Sequence, residues 1–154
     1  MFTRRAVIGF LTVGLSACGS SRAEVTAPRK TPLFPNETPE LRLLIEKYAA
    51  LYDVPVDLIH RLAVRESTHR PSARNGPYYG LLQISVPTAR SMGFRGQPND
   101  LLDAESNLIY AVKYLRGAWL LSDGSFDTAV KWYSRGYYYE AKRRGMLKET
   151  GLVN

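Results

Sequence analysis

One Cys, two His and three Met occur among the 154 residues. A lone Cys cannot close an internal disulfide or furnish a Cys-rich zinc site, and two His add too few ligands for most metal clusters. No metal or other cofactor is therefore expected. No apolar run reaches the roughly 20 residues that a bilayer-spanning helix requires. Alternating apolar and polar runs of the kind that make strands are missing, and so are internal repeats. Carboxylates are the minority charge: 14 Asp and Glu stand against 21 Lys and Arg, for a net charge of +7. That balance favours anionic partners without choosing among nucleic acid, lipid and polymer. Hydrophobic residues make up 45% and charged residues 23%, which excludes a wholly disordered chain, and the length suits one domain.

The chain opens with Arg4 and Arg5, followed by the uncharged run AVIGFLTVGLSA over residues 6–17. A basic start, a short apolar run and small residues at its end form an export signal. Leu15-Ser16-Ala17-Cys18 closes it and resembles the lipobox of bacterial lipoproteins, in which the Cys becomes the acylated N-terminus. Residues 1–17 are then a signal peptide and Cys18 a lipid anchor to the membrane. Gly19, where Asp would signal retention at the inner membrane, implies an outer-membrane lipoprotein facing the periplasm. Residues 18–38 are rich in Ser, Thr and Pro and read as a flexible tether.

From residue 39 to residue 154 the pattern is that of an all-α domain of about six helices. Leu41, Leu44, Ile45, Tyr48 and Leu51 predict a first amphipathic helix, and Pro55 opens a second that runs to about Ser67. Pro71 and Gly76-Pro77 mark a loop. A short helix is expected over 86–91 and a long one from Asp103, carrying Leu108, Ile109, Val112, Leu115 and Leu120 and closed by Gly124. Two more are expected over 126–134 and 137–147.

The second helix contains a misplaced acid. At 100° per residue, Ile59, Leu62 and Ala63 lie within roughly 60° of Glu66, and Val56 and Leu58 within about 80°. Asp57, His60, Arg61 and Arg65 lie on the other side. Glu66 thus sits in the apolar stripe and near the helix C-terminus, and both placements raise a carboxyl pKa. A Glu held protonated near neutral pH suits a general acid. A buried Glu paired with an Arg explains the same pattern, so geometry leaves both open.

The surrounding motifs favour the acid. Glu66-Ser67-Thr68-His69-Arg70-Pro71 is followed by Gly80-Leu81-Leu82-Gln83-Ile84 and then by Pro87-Thr88-Ala89. Leu101-Leu102-Asp103-Ala104-Glu105-Ser106-Asn107-Leu108 and Tyr114-Leu115 come later. Together these resemble the soluble lytic transglycosylase family. The resemblance implies a lysozyme-like helical fold and cleavage of the β-1,4 bond between N-acetylmuramic acid and N-acetylglucosamine in peptidoglycan. The muramyl 6-hydroxyl, rather than water, attacks C1 and leaves a 1,6-anhydro end. By the same resemblance Glu66 is the catalytic acid and then base, Ser67 supports the active-site turn, Gln83 hydrogen-bonds the glycan, and Leu82 lines the cleft. Tyr133 orients Glu66, Tyr79 contacts substrate, and peptidoglycan glycan strands are the partner. One acid suffices because the nucleophile belongs to the substrate, whereas ordinary glycosidases need two carboxylates.

Two departures stand out. Pro77-Tyr78-Tyr79 precede Gly80 where the family often has Gly-Ala. The late Ala-Tyr-Asn-Ala-Gly reads Trp132-Tyr133-Ser134-Arg135-Gly136. The missing Asn leaves a catalytically silent peptidoglycan-binding lipoprotein as one alternative and a hydrolytic muramidase as another. One of Tyr137, Tyr138 and Tyr139 is expected to touch glycan. His60 and His69 read as surface or capping residues, too far from acids to bind metal. Nucleic acid is not expected as a partner: no recognised motif is present, and export removes it.

Overall fold

The computed structural model describes residues 31–153. The export signal, Cys18 and the tether up to residue 30 lie outside the described residues. Among the described residues are six α-helices, one 3-10 helix and one small sheet: α1 Pro39–Tyr52, α2 Val56–Glu66, α3 Val86–Ser91, α4 Ala104–Leu120, α5 Phe126–Arg135 and α6 Tyr138–Arg144, with the 3-10 turn Pro98–Leu102 before α4 and with β1 Arg74–Asn75, β2 Tyr78–Tyr79 and β3 Ile84–Ser85 between α2 and α3. The fold is mainly helical, as expected. Among the described residues no helix is long and apolar enough to cross a membrane.

Local chemistry explains where the helices begin. Thr38 accepts from the Leu41 N–H at the start of α1, Asp103 from Ser106 at the start of α4, and Ser125 from Thr128 at the start of α5. Each side-chain oxygen satisfies a backbone donor that has no partner within the helix. Pro39 follows the first of these caps, at a position where a missing N–H costs nothing. α1 ends at Asp53 and α6 at Gly145, both left-handed.

Helix α4 runs through the middle of the core. Leu108, Ala111, Val112, Leu115 and Ala118 are fully buried along it, and α1, α3 and α5 pack around it. α1 presents Leu41, Ile45, Tyr48 and Ala49 to this core. Leu51, expected in the same stripe, is 63% exposed because it falls at the far edge of the α1 face that meets the core. Full burial of each large aliphatic side chain contributes on the order of 1.5–3 kcal/mol.

Two features differ from the sequence reading. The three antiparallel strands, ordered β1-β2-β3, are two residues long each, too short to produce a period-two pattern. The segment before α1 is also no free tether. From Pro32 to Thr38 it packs on the helical unit: Pro32 accepts from Arg42, the Asn36 amide donates to the Thr68 carbonyl, and Glu37 is buried and paired with Arg42 at 2.6 Å. Phe34 stacks on His60 and His69, with ring centroids 4.8 and 4.9 Å away. This strap covers a side of α2 that is polar by sequence.

Candidate active site

Glu66 is the last residue of α2. Its side chain retains 22% of its exposure, and its carboxylate makes no hydrogen bond among the described residues. Arg65 Nε stands 3.4 Å away. Burial pushes the Glu66 carboxyl above its ordinary value, and the neighbouring Arg65 charge opposes this only in part. The acid that was out of place on the helix wheel is therefore withdrawn from water and is not neutralised in a buried Arg pair.

The chain after Glu66 is tightly bent. Thr68 and His69 both adopt left-handed backbone, at φ 53° and 56°, which is uncommon for residues other than glycine. Ser67 holds the bend. Its buried hydroxyl donates to the Leu81 carbonyl at 2.7 Å and accepts from the Arg70 N–H at 3.1 Å. It thereby links the end of α2 to the Gly80–Gln83 segment, and it also bonds within the helix end through the Ala63 carbonyl.

Gly80–Gln83 is fixed from below by Asn107 of α4. The fully buried Asn107 donates to the carbonyls of Tyr79 and Leu101 and accepts from the Leu82 N–H at 3.0 Å. A Cβ at Gly80 would collide with the Asn107 amide and the Leu101 carbonyl, and its φ of +77° also calls for glycine. Gln83 sits at φ 48°, and its amide donates to the carbonyls of Ala73 and Gly80 at 3.1 and 2.9 Å. The Gln83 amide thus braces the loop, so the expected hydrogen bond to glycan cannot come from that NH2 group while both carbonyls hold it.

A groove of about 230 Å³ opens beside this segment, lined by Tyr78, Gln83, Ile84, Ser85, Thr88, Tyr114, Tyr133, Ser134, Arg135 and Gly136. Glu66 is not on its wall, but it lies close enough for its charge to act on the Tyr133 phenol, which is. Burial first, then Glu66, pushes the Tyr133 pKa well above its usual value, so the hydroxyl stays protonated. That hydroxyl donates to the Leu82 carbonyl at 2.9 Å and not to Glu66, the residue it was expected to orient. Tyr133 packs edge-on against Tyr114, whose ring stacks on Tyr137 at 4.7 Å. Burial raises the Tyr114 pKa to about 12.

Several expected contacts are corrected. Leu82 is fully buried in the core and does not line the groove, because Asn107 and Tyr133 pin its backbone from both sides. Tyr79 is 7% exposed and turned inward under Arg74; its neighbour Tyr78 is the one on the groove wall. Among the three consecutive tyrosines, Tyr137 is core, with its hydroxyl on the Tyr114 carbonyl, while Tyr138 and Tyr139 are exposed. Ser134 turns its hydroxyl back to the Val130 carbonyl of its own helix. Asn107 and Tyr114 were missed as site residues, although both stand in the motifs quoted above.

His60 and His69 are buried, contrary to the surface or capping role read from sequence, and an acid is near. His60 Nδ1 lies 3.0 Å from His69 Nε2 and 3.8 Å from Glu37 Oε1. Ligand atoms of the three residues lie within 4.8 Å of one another. Arg42, however, bonds both oxygens of Glu37, and the Phe34 N–H bonds one of them as well. The cluster is thus a closed network that fastens the strap. His69 Nδ1 has no partner. A tautomer with His69 Nε2–H donating to His60 Nδ1 avoids burying an unpaired N–H there.

Residues 43–143 match the family described as "Transglycosylase SLT domain". The chain is 30% identical over 124 residues to the membrane-bound lytic murein transglycosylase F of Shewanella woodyi, covering 76% of this chain and 25% of that protein. It is 32% identical over 131 residues to the protein of that name from Vibrio cholerae, covering 80% of this chain and 22% of the relative. The chain therefore spans about a quarter of the length of the curated relatives it matches. No solved structure gives a significant match. A family match across most of the helical unit, on the motifs that build the bend after Glu66 and its bracing loop, means that the chain belongs to the transglycosylase SLT domain family.

Proposed function

We propose that the chain is a peptidoglycan lytic transglycosylase with Glu66 as its single acid–base catalyst. The observation that carries this reading is the half-buried Glu66, whose pKa is raised although the exposed Arg65 stands beside it, next to a groove that no Asp or Glu lines. A hydrolytic glycosidase would need a second carboxylate to activate water or to attack C1. In the proposed reaction Glu66 gives its proton to the glycosidic oxygen as the bond from C1 breaks. The muramyl 6-hydroxyl then forms the new bond to C1 and returns a proton to the Glu66 carboxylate. Atoms and charges balance, and the catalyst is regenerated in one turnover. Tyr133 and Gln83 serve here as bracing residues for the loop that faces the substrate.

The same proposal places the protein in the cell envelope as a lipoprotein, acylated at Cys18 and facing the periplasm from the outer membrane. The Leu15–Cys18 motif, Gly19 and the membrane-bound relatives support this. Two or more acyl chains give stable attachment, at about 0.8 kcal/mol per buried methylene. Labelled fatty acid should appear on the wild type and vanish in Cys18→Ala; label retained by the variant contradicts the anchor. For the chemistry, purified sacculi are digested and the released fragments weighed. Anhydromuramyl ends that disappear with Glu66→Gln support the lyase. Reducing ends point to a hydrolase, and binding without cleavage points to a silent carrier.

A further inference from the structure

Arg135 is the last residue of α5 and stands where the late family motif has Ala. It is the one charged side chain among those lining the groove. It also lines a second hollow of about 430 Å³, walled in part by Trp132, Tyr138 and Tyr139. The two hollows meet at Arg135-Gly136. The other charged side chains on the second hollow, Arg143 and Glu140, are paired with each other, and Glu140 also pairs with Arg144. Arg135 has neither an ion pair nor a side-chain hydrogen bond among the described residues. The helix dipole favours a cation at this end. It does not account for an Arg on the threshold between two hollows.

The substrate chemistry does. Each muramic acid can carry a short peptide on its lactyl group, and that peptide bears ionised carboxylates. A sugar held in the groove must send its peptide out sideways. A guanidinium recognises a carboxylate through paired N–H donors, and aromatic walls suit the peptide's methyl and methylene groups. We propose that Arg135 binds a carboxylate of the peptide attached to muramic acid, with the second hollow receiving that peptide. The enzyme then prefers peptide-bearing glycan. This inference rests on the lytic transglycosylase reading of the same groove.

The test compares the full chain with Arg135→Ala and Arg135→Lys on three substrates: glycan with intact peptides, the same glycan with peptide carboxylates converted to amides, and glycan stripped of peptide by an amidase. On intact substrate Arg135→Ala should raise KM about tenfold with kcat little changed, as befits one charged hydrogen-bonded contact. Arg135→Lys should recover part of the loss. On amidated substrate wild type and variant should converge. A loss that persists there makes the role structural and overturns the proposal. Full discrimination on stripped glycan, which retains only the lactyl carboxylate, overturns the assignment to the peptide. Binding of the same fragments to Glu66→Gln and to the Glu66→Gln, Arg135→Ala double variant is measured in parallel. If no cleavage is seen anywhere, about tenfold weaker binding of the intact fragment by the double variant still supports the contact, and equal binding overturns it.

Discussion

Glu66 is held in an environment that its charged form resists. It lies at the C-terminal end of α2, where the dipole opposes negative charge, and is partly withdrawn from water with only Arg65 as compensation. A carboxyl whose folded pKa is raised contributes stability that is fully present below its unfolded value of 4.5 and is lost as pH rises through the folded pKa. Two outcomes follow for Glu66→Gln. Cleavage should fall by about 10²–10⁴-fold, the usual size of general acid–base catalysis. The variant should also melt higher than the wild type at pH 7, with the gap closing below pH 4.5, which thermal unfolding at the two pH values checks. Glu66 was legible in the sequence because α2 follows an ideal 3.6-residue period, so one acid in an apolar stripe stands out. Asn107 was not, since its role is set by partners 25 and 28 residues away in a loop whose path no local pattern reveals.

At the scale of elements, the site depends on a loop that the core holds from beneath. Asn107 satisfies three backbone groups at once, and Asn107→Ala would leave them buried without partners. The expected cost is about 2–4 kcal/mol, read as a lower denaturation midpoint, with cleavage reduced further because Leu82 and Gln83 lose their position. The strap and α2 form a second unit. Burial lowers the His60 pKa against the pull of Glu37; burial and then the His60 charge lower that of His69. Depressed histidines stabilise the fold when neutral, so stability should be lost as pH falls below about 6.5, where the unfolded chain takes up protons first. Arg42 and Glu37 face the pair from the strap and α1, while Asp57 and Glu46 act from farther off. The Glu37 pKa is itself depressed: burial, the largest single cause, raises it, but the hydrogen bonds from Arg42 and Phe34 and the nearby positive charges together outweigh this, and its loss of stability comes below 4.5. Melting curves from pH 7.5 to 5.5 should fall for the wild type and flatten when both His become Gln. Burial of His60 was hidden in the sequence because it lies off the apolar stripe of α2 and is covered by a segment read as tether.

At the scale of the molecule, six helices could be read from spacing and caps, since these signals lie within a few residues of each other, but α4 stops at Leu120 rather than at Gly124 and α6 at Arg144 rather than at residue 147. The sheet, the strap and the inward turn of Leu82 and Tyr79 could not, because they depend on how separate elements meet. The assembled unit sets one raised carboxyl beside a groove whose wall carries no Asp or Glu. The central claim is that this single acid performs an intramolecular transfer on peptidoglycan rather than a hydrolysis. Mass analysis of sacculi digested in ¹⁸O-labelled water tests it most directly. The account predicts anhydromuramyl ends without label, absent with Glu66→Gln. Reducing ends carrying ¹⁸O would contradict it.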